Sequence, residues 1–78
     1  MITIDCTCMT PKKLHRELAK ALNFPDWYGM NLDALYDCLT ETQGELCLVG
    51  CTEDNFPGFS ETFQDAANDN PDFTVTFL

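Results

Sequence analysis

Apolar residues recur at the spacing of an α-helix in three segments of the chain. The first segment follows Thr10, a good capping residue, and Pro11, which suits the first helical position. Its apolar stripe is Leu14, Leu18, Ala21 and Leu22. The second stripe, after a capping Asn31, is Leu32, Leu35, Tyr36 and Leu39. The third is Phe59, Phe63, Ala66 and Ala67, and the polar segment 68–71 breaks it. The pattern predicts three amphipathic helices.

Three further segments have the patterns of β-strands. Residues 2–4 are a short β-branched run, residues 46–49 are continuously apolar, and residues 73–77 alternate between apolar and polar. Strands that alternate with helices predict a parallel sheet, here in the order β-α-α-β-α-β. With right-handed crossovers and all helices on one face, the strand order is 1-2-3. The predicted fold class is therefore α/β, with two layers, and Thr74 and Thr76 mark the uncovered face of the sheet.

The length of 78 residues predicts one small domain, residues 1–78. A hydrophobic fraction of 45% is enough for one core, which excludes the low-complexity and disordered classes. No apolar run is long enough to span a bilayer, and the first residues do not resemble a signal peptide. Five cysteines are an odd number for a disulfide framework. These features predict a soluble cytoplasmic protein with reduced cysteines.

The charge is strongly negative and unevenly distributed. There are 13 acidic and 4 basic residues, which gives a formal net charge of -9. All the basic residues fall within residues 12–20, whereas residues 21–78 contain eleven carboxylates and no Lys or Arg. This distribution argues against nucleic acid and anionic membranes as direct partners and predicts a cationic partner.

Asp33 and Asp37 lie one turn apart on a face of the second helix that is distinct from its leucine face. Like charges at this spacing cost a helix roughly 0.2 to 0.5 kcal/mol, although the helix dipole favours an anion at Asp33. The plain interpretation is a solvated helix face, and the functional one is a surface that binds cations. A catalytic carboxylate pair would need an apolar pocket to raise one pKa, which an exposed helix turn lacks.

Between the first two helices, Pro25 and Gly29 bracket the adjacent aromatic residues Trp27 and Tyr28. Both aromatic side chains cannot easily point inward, so we expect one to cover the core and the other to be exposed. An exposed aromatic residue beside an acidic helix is typical of an interface hot spot, and Gly29 allows a close backbone approach. Tyr36, at the border of the acidic face, is placed to serve in the same way.

The cysteines and the histidine form no known motif. Cys6 and Cys8 lack both the spacing of a metal half-site and a second pair, and His15 has no evident partner. Cys47 and Cys51 are expected in and just after the middle strand. The plain interpretation is that these cysteines are free and structural. A redox or metal enzyme that uses Cys6, Cys8, Cys47 and Cys51 is a functional alternative, which ranks behind the two hypotheses given at the end of this section. We predict no catalytic residue, no metal ligand and no cofactor.

Residues 25–40 read Pro-Asp-Trp-Tyr-Gly-Met-Asn-Leu-Asp-Ala-Leu-Tyr-Asp-Cys-Leu-Thr and closely resemble the core motif of the barstar family, intracellular inhibitors of the ribonuclease barnase. A looser likeness covers the rest of the chain, in the first helix from Leu14 to Leu18, in the last helix from Phe63 to Ala66 and in the strand that follows Asp72. The fold of that family, a three-stranded parallel sheet with helices on one side, agrees with the predicted architecture.

The resemblance implies that the second helix and the loop before it block a ribonuclease active site. It places Asp37 at the central acid, which sits where an RNA phosphate would, with Asp33 as its neighbour. It places Trp27 at the aromatic that stacks on the catalytic centre and Gly29 at a close backbone contact. The remaining partner-binding positions it implies are Asn31, Tyr36 and, across a gap on the last helix, the peripheral acid Asp65. The chain departs from the family pattern at Met30, in place of an acid, and at Thr42, in place of Trp.

These observations give two hypotheses of different classes. The first is an inhibitor or immunity protein, as in a toxin–antitoxin pair, that binds a basic ribonuclease of barnase type and is monomeric when free. It is not an enzyme and needs no cofactor. The alternative is an acidic adaptor or immunity protein that uses the same face to bind another cationic protein, such as a toxin nuclease of a different kind. Competition by RNA for the partner's active site separates the two.

Overall fold

The computed structural model describes residues 1–78 and has the predicted order of helices and strands. The elements are β1 (Ile2–Asp5), α1 (Pro11–Ala21), α2 (Leu32–Leu39), β2 (Gly44–Val49), α3 (Phe59–Asp69) and β3 (Phe73–Phe77). The three strands are parallel and lie in the order β1-β2-β3. The α/β class and the strand order 1-2-3 are therefore confirmed. None of the helices has both the length and the apolar character needed to cross a membrane.

The register of the strands separates a covered face of the sheet from an open one. Ile4 pairs with Leu48, which pairs with Phe77, and the first two of these side chains are buried beneath the helices. The alternate positions project from the opposite face, where Thr3, Thr74 and Thr76 are exposed. The helices therefore lie on one side of the sheet, and the molecule has the two layers that the alternation in β3 predicts.

The core between the two layers contains aliphatic residues from both and phenylalanines from the second half of the chain. Its largest fully buried members are Phe56, Phe63, Phe73, Leu14, Leu18, Leu35, Leu39, Leu46 and Leu48. One residue of the predicted stripes is misplaced, because Ala21 is exposed. The last turn of α1 borders an open cleft of about 410 Å³, which Leu22, Phe24 and Thr42 also line, so nothing covers Ala21.

The predicted caps of the first two helices are present. The side chain of Thr10 accepts a hydrogen bond from the Lys13 amide at 3.2 Å, with Pro11 in the first turn of α1. The side chain of Asn31 accepts one from the Ala34 amide at 2.8 Å. Each bond satisfies an amide that has no partner within its own helix, which fixes where the helix starts.

The end of α3 is held by Asn70. The helix extends to Asp69, two residues into the predicted break, and Asn70 then adopts an extended conformation because Pro71 follows it. Asn70 is buried and its Nδ2 donates to the carbonyls of Leu39, at 3.0 Å, and Thr42, at 2.7 Å. These carbonyls belong to the end of α2 and the turn after it. Asn70 therefore joins the ends of α2 and α3.

Candidate functional site

Two neighbouring helices each present a pair of aspartates one turn apart. Asp33 and Asp37 lie on α2, Asp65 and Asp69 lie on α3, and all four side chains are exposed. The two helices pack against each other. We call these four residues the acidic face. The basic residues of the chain are all on α1, so the acidic face contains no Lys or Arg of its own helices.

Tyr36 connects the two halves of the acidic face. Its ring is half-buried and its hydroxyl donates a hydrogen bond to Oδ2 of Asp69 on α3. This hydrogen bond is the main reason that the pKa of Tyr36 is raised above its usual value, with smaller contributions from desolvation and from the charges of Asp69, Asp65 and Asp37. The tyrosine hydroxyl therefore lies among acids from both helices.

The first turn of α2 is fixed at its cap. Besides its bond to Ala34, Asn31 donates from Nδ2 to the carbonyl of Gly29 at 3.4 Å. A Cβ atom on Gly29 would lie 3.0 Å from that same Nδ2, which is closer than ordinary packing allows. Asp33 follows in the first turn, where the helix dipole favours a negative charge. Gly29 thus lets the loop lie directly against the start of the acidic helix.

The backbone bends at Met30, between Gly29 and Asn31. Met30 has a φ of 56°, in the left-handed region that costs an ordinary L-residue roughly 1 to 2 kcal/mol. Such a conformation persists only where the surrounding contacts enforce it. Here the capping bonds of Asn31 on one side and the aromatic contacts of Tyr28 on the other hold the loop.

Trp27 and Tyr28 divide between solvent and core, as expected from their sequence. Trp27 is 66% exposed, which makes it one of the few large apolar side chains on the surface. Tyr28 is half-buried and its ring centroid lies 4.9 Å from that of Phe24. The amide of Tyr28 also donates to the carbonyl of Pro25 at 3.0 Å, which closes the turn that presents Trp27.

His15 has a partner that the sequence did not reveal. The expectation that it lacks one is wrong, because its Nδ1 lies 2.5 Å from the hydroxyl oxygen of Tyr28 and its ring packs 4.9 Å from that of Phe59. Burial lowers the pKa of His15, and burial is also the main cause that raises the pKa of Tyr28, so both side chains are neutral at pH 7. His15 is therefore a positioning residue for the loop.

The residues predicted to bind a partner fall into two groups in the structure. Trp27, Gly29 and Asn31 lie on the loop and cap, and the acids lie on the helices that follow. Asp37 and Asp65 are both close enough to Tyr36 to influence its pKa. Their roles in binding remain predictions.

Sequence reasoning missed Asp69, His15 and Asn70. The signals that could have revealed the first two are their spacings. Asp65 and Asp69 repeat the four-residue interval of Asp33 and Asp37, and His15 is three residues before Leu18 on the buried side of α1. Asn70 gave no comparable signal, since its partners are 28 and 31 residues away.

The arrangement is suited to binding. The four carboxylates of the acidic face are exposed, and only that of Asp69 accepts a hydrogen bond. No group of three or more His, Cys, Asp or Glu side chains is placed to hold a metal ion. Rigid carboxylates on a helix beside an exposed aromatic ring can contact a cationic, partly apolar surface.

The chain is similar to known proteins. The chain matches the family model Barstar, described as barstar (barnase inhibitor), over residues 1–77. A segment of 27 residues is 67% identical to a protein of Bacillus subtilis (strain 168) that is named "Putative ribonuclease inhibitor YrdF". That segment is 35% of this chain and 30% of the Bacillus protein. The family match extends over all six helices and strands. The chain therefore belongs to the barstar family, whose members are inhibitors and not enzymes.

Proposed function

We propose that this protein inhibits a basic ribonuclease of barnase type by covering its active site with the acidic face and the loop that carries Trp27. The observation that carries the proposal is the placement of exposed carboxylates from α2 and α3 around Tyr36, in a segment of the chain with no cation. The loop that leads into α2 carries an exposed tryptophan. Family membership and the name of the Bacillus relative support the same function.

The chemistry of the target explains why carboxylates suit this role. A ribonuclease must hold RNA phosphates with Arg, Lys and His side chains, and those donors bind carboxylates in the same way. Asp37, in the middle of the acidic face, takes the place of a phosphate in this proposal, and Asp33 binds a neighbouring donor. Trp27 adds apolar contact area beside these charges and stacks on the rim of the catalytic site.

Three contacts hold this surface in place before the partner arrives. Asn31 caps α2, the hydroxyl of Tyr36 bonds to Asp69, and His15 contacts Tyr28 next to Trp27. Side chains that are already ordered lose little conformational entropy on binding, so more of the contact energy remains as affinity. The net charge of -9 also attracts a basic partner over a distance and accelerates association at low salt.

The test is a titration of several basic microbial ribonucleases, barnase type included, with the wild-type protein, with Asp37→Ala and with Glu45→Ala. Glu45 is the matched control because it is an exposed acid on the open face of the sheet. We expect stoichiometric inhibition by the wild type, inhibition weakened by roughly 30-fold or more in Asp37→Ala, and little change in Glu45→Ala. Higher salt should slow association of all three.

Three results would contradict the proposal. The first is the absence of inhibition of every ribonuclease at micromolar concentrations. The second is inhibition that Asp37→Ala and Glu45→Ala weaken equally, which would show that only the total charge matters. The third is binding to a ribonuclease with which an RNA oligonucleotide does not compete, because the active site would then be free, as the adaptor hypothesis expects.

A further inference from the structure

Two cysteine residues lie close together at the carboxyl ends of neighbouring strands. Cys6 follows β1 directly and Cys51 follows β2 by two residues, at the edge of the sheet where both parallel strands end. Sγ of Cys6 donates to the carbonyl oxygen of Ile4 at 3.9 Å, and, besides burial, the nearby Cys51 side chain raises the pKa of Cys6. Cys6 is fully buried, whereas Cys51 is partly exposed. No part of the proposed inhibitory surface uses either residue.

The backbone keeps these two positions together. The amide of Cys6 donates to the carbonyl of Val49 at 2.8 Å, which extends the ladder between the two strands. Gly50 has a φ of 74°, and a Cβ atom there would lie 2.8 Å from Oγ1 of Thr7, so the two chains approach closely just beside the cysteines. The amide of Gly50 is held in turn by the carbonyl of Leu78 at 3.1 Å. The backbone positions that carry the two thiols therefore stay close together while the sheet is intact.

We propose that Cys6 and Cys51 form an intramolecular disulfide when the folded protein meets a small disulfide oxidant such as oxidised glutathione. The thiolate of Cys51 attacks one sulfur of the oxidant, whose disulfide breaks and releases one glutathione thiol. The thiolate of Cys6 then attacks the Cys51 sulfur of this mixed disulfide and releases the second glutathione thiol. Two electrons pass from the protein thiols to the oxidant, and the two thiol protons end on the released glutathione.

The order of the two steps follows from access and acidity. Cys51 is the first to react because it is the partly exposed member of the pair. Burial raises the pKa of Cys6 to about 11 and raises the pKa of Cys51 as well, although the nearby Cys6 side chain partly opposes the shift at Cys51. Both side chains are therefore mostly thiols at neutral pH, and the bond forms faster as the pH rises.

The bond would stabilise the protein in two ways. It closes a loop that contains α1, α2 and β2, and so removes conformations from the unfolded chain. It also holds the start of the connection to α3, in which Phe56 is buried and Gly58 packs against Leu32, the first residue of α2. Neither effect depends on the proposed inhibition of a ribonuclease.

The experiment is oxidation of the folded, full-length chain with oxidised glutathione at neutral pH and at about pH 8.5. We expect the loss of two free thiols and of two hydrogens in mass, with faster reaction at the higher pH. Protease cleavage after Asp and Glu is suitable for mapping, because the chain has no Lys or Arg after Lys20. The cross-link should join the peptide that contains Cys6 and Cys8 to the peptide that contains Cys47 and Cys51, and the variants below then identify the two cysteines. The unfolding temperature should rise by roughly 10 °C.

Matched variants identify the cysteines without relying on the buried one. Cys51→Ser changes a partly exposed side chain and should abolish the cross-link, whereas Cys8→Ser, at an exposed position near Cys6, should leave it intact. The inference is overturned if the wild type keeps all five thiols, if glutathione remains attached to Cys51 with no internal bond, if another pair is joined, or if the cross-link forms only in denaturant.

Discussion

The imidazole Nδ1 of His15 lies 2.5 Å from the hydroxyl oxygen of Tyr28, and this contact joins α1 to the loop that presents Trp27. His15 lies on the buried side of α1 with Leu14, whereas Lys13 and Arg16 are exposed. Trp27, next to Tyr28, is exposed as well. A partly buried pair thus anchors the loop that carries an exposed tryptophan.

This pair should make stability depend on pH in a defined direction. Burial lowers the pKa of folded His15 below 6.5, so the unfolded chain takes up the proton first. The stabilisation is present above the unfolded pKa and is lost as pH falls from about 6.5 towards the lower folded pKa. In urea titrations from about pH 7.5 to about pH 5, the wild type should therefore lose stability relative to His15→Gln. A constant difference between the two across this range would contradict the assignment.

The contact between Tyr36 and Asp69 should be visible in the ionisation of the tyrosine. In Asp69→Asn, we expect the pKa of Tyr36 to fall towards 10, because the substitution removes the carboxylate that accepts the hydrogen bond from the tyrosine hydroxyl. The measurement is tyrosinate absorbance at alkaline pH in a Tyr28→Phe background, which leaves Tyr36 as the only tyrosine. Asp26→Asn, on the loop, is the charge-matched control. A shift as large in the control as in Asp69→Asn would mean that net charge, and not this contact, sets the pKa.

The cap of α2 should affect both stability and binding. Asn31→Ala removes the bond to the Ala34 amide and should cost about 1 kcal/mol of unfolding free energy. Thr10→Ala removes the corresponding bond at α1 and should cost a similar amount. Chemical denaturation measures both. When the two variants are compared at equal folded fractions, only Asn31→Ala should also weaken ribonuclease inhibition. Equal inhibition by the two variants would show that Asn31 is not part of the binding surface.

Gly58 should resist substitution for two separate reasons. Its φ of 83° disfavours any L side chain, and a Cβ atom there would lie 2.6 Å from Cδ1 of Leu32. We expect Gly58→Ala to cost roughly 2 to 4 kcal/mol, from backbone strain and from crowding together. Leu32→Ala removes the crowding atom, so the double variant should lose less stability than the sum of the single ones. Additive losses in denaturant titrations would show that only the backbone is strained.

The stability of the protein should depend on the two hydrogen bonds that the Asn70 amide donates. Asn70→Asp places a carboxylate oxygen where the amide donates to two carbonyls, and should cost roughly 2 to 3 kcal/mol at pH 7. Part of the loss should be recovered in acid, where a protonated carboxyl can donate one bond. Asn68→Asp makes the same substitution at an exposed position of α3 and should change stability little. Similar losses in the two variants, followed by urea unfolding, would contradict the bridging role.

The pattern of the sequence was sufficient for the fold because the signals it used are local. Leu35 and Leu39 fall on one face of α2 through helical geometry alone, and Thr10 and Asn31 cap helices through bonds that span three residues. The strand order follows from the handedness of the crossovers. The same local geometry exposed Asp33 and Asp37, and the motif around them indicated the family.

Only the tertiary structure decided the contacts between distant segments. Tyr36 meets Asp69 across 33 positions, His15 meets Tyr28 across 13, and Cys6 meets Cys51 across the ends of two strands. None of these pairs has a periodic signal, because each depends on how whole helices and strands pack together. The sequence by itself therefore determined the order of the helices and strands, most of their buried faces, and the family that the chain resembles. The packing of the helices and strands decided which polar side chains meet, since contacts between distant segments form only where the folded core brings those segments together.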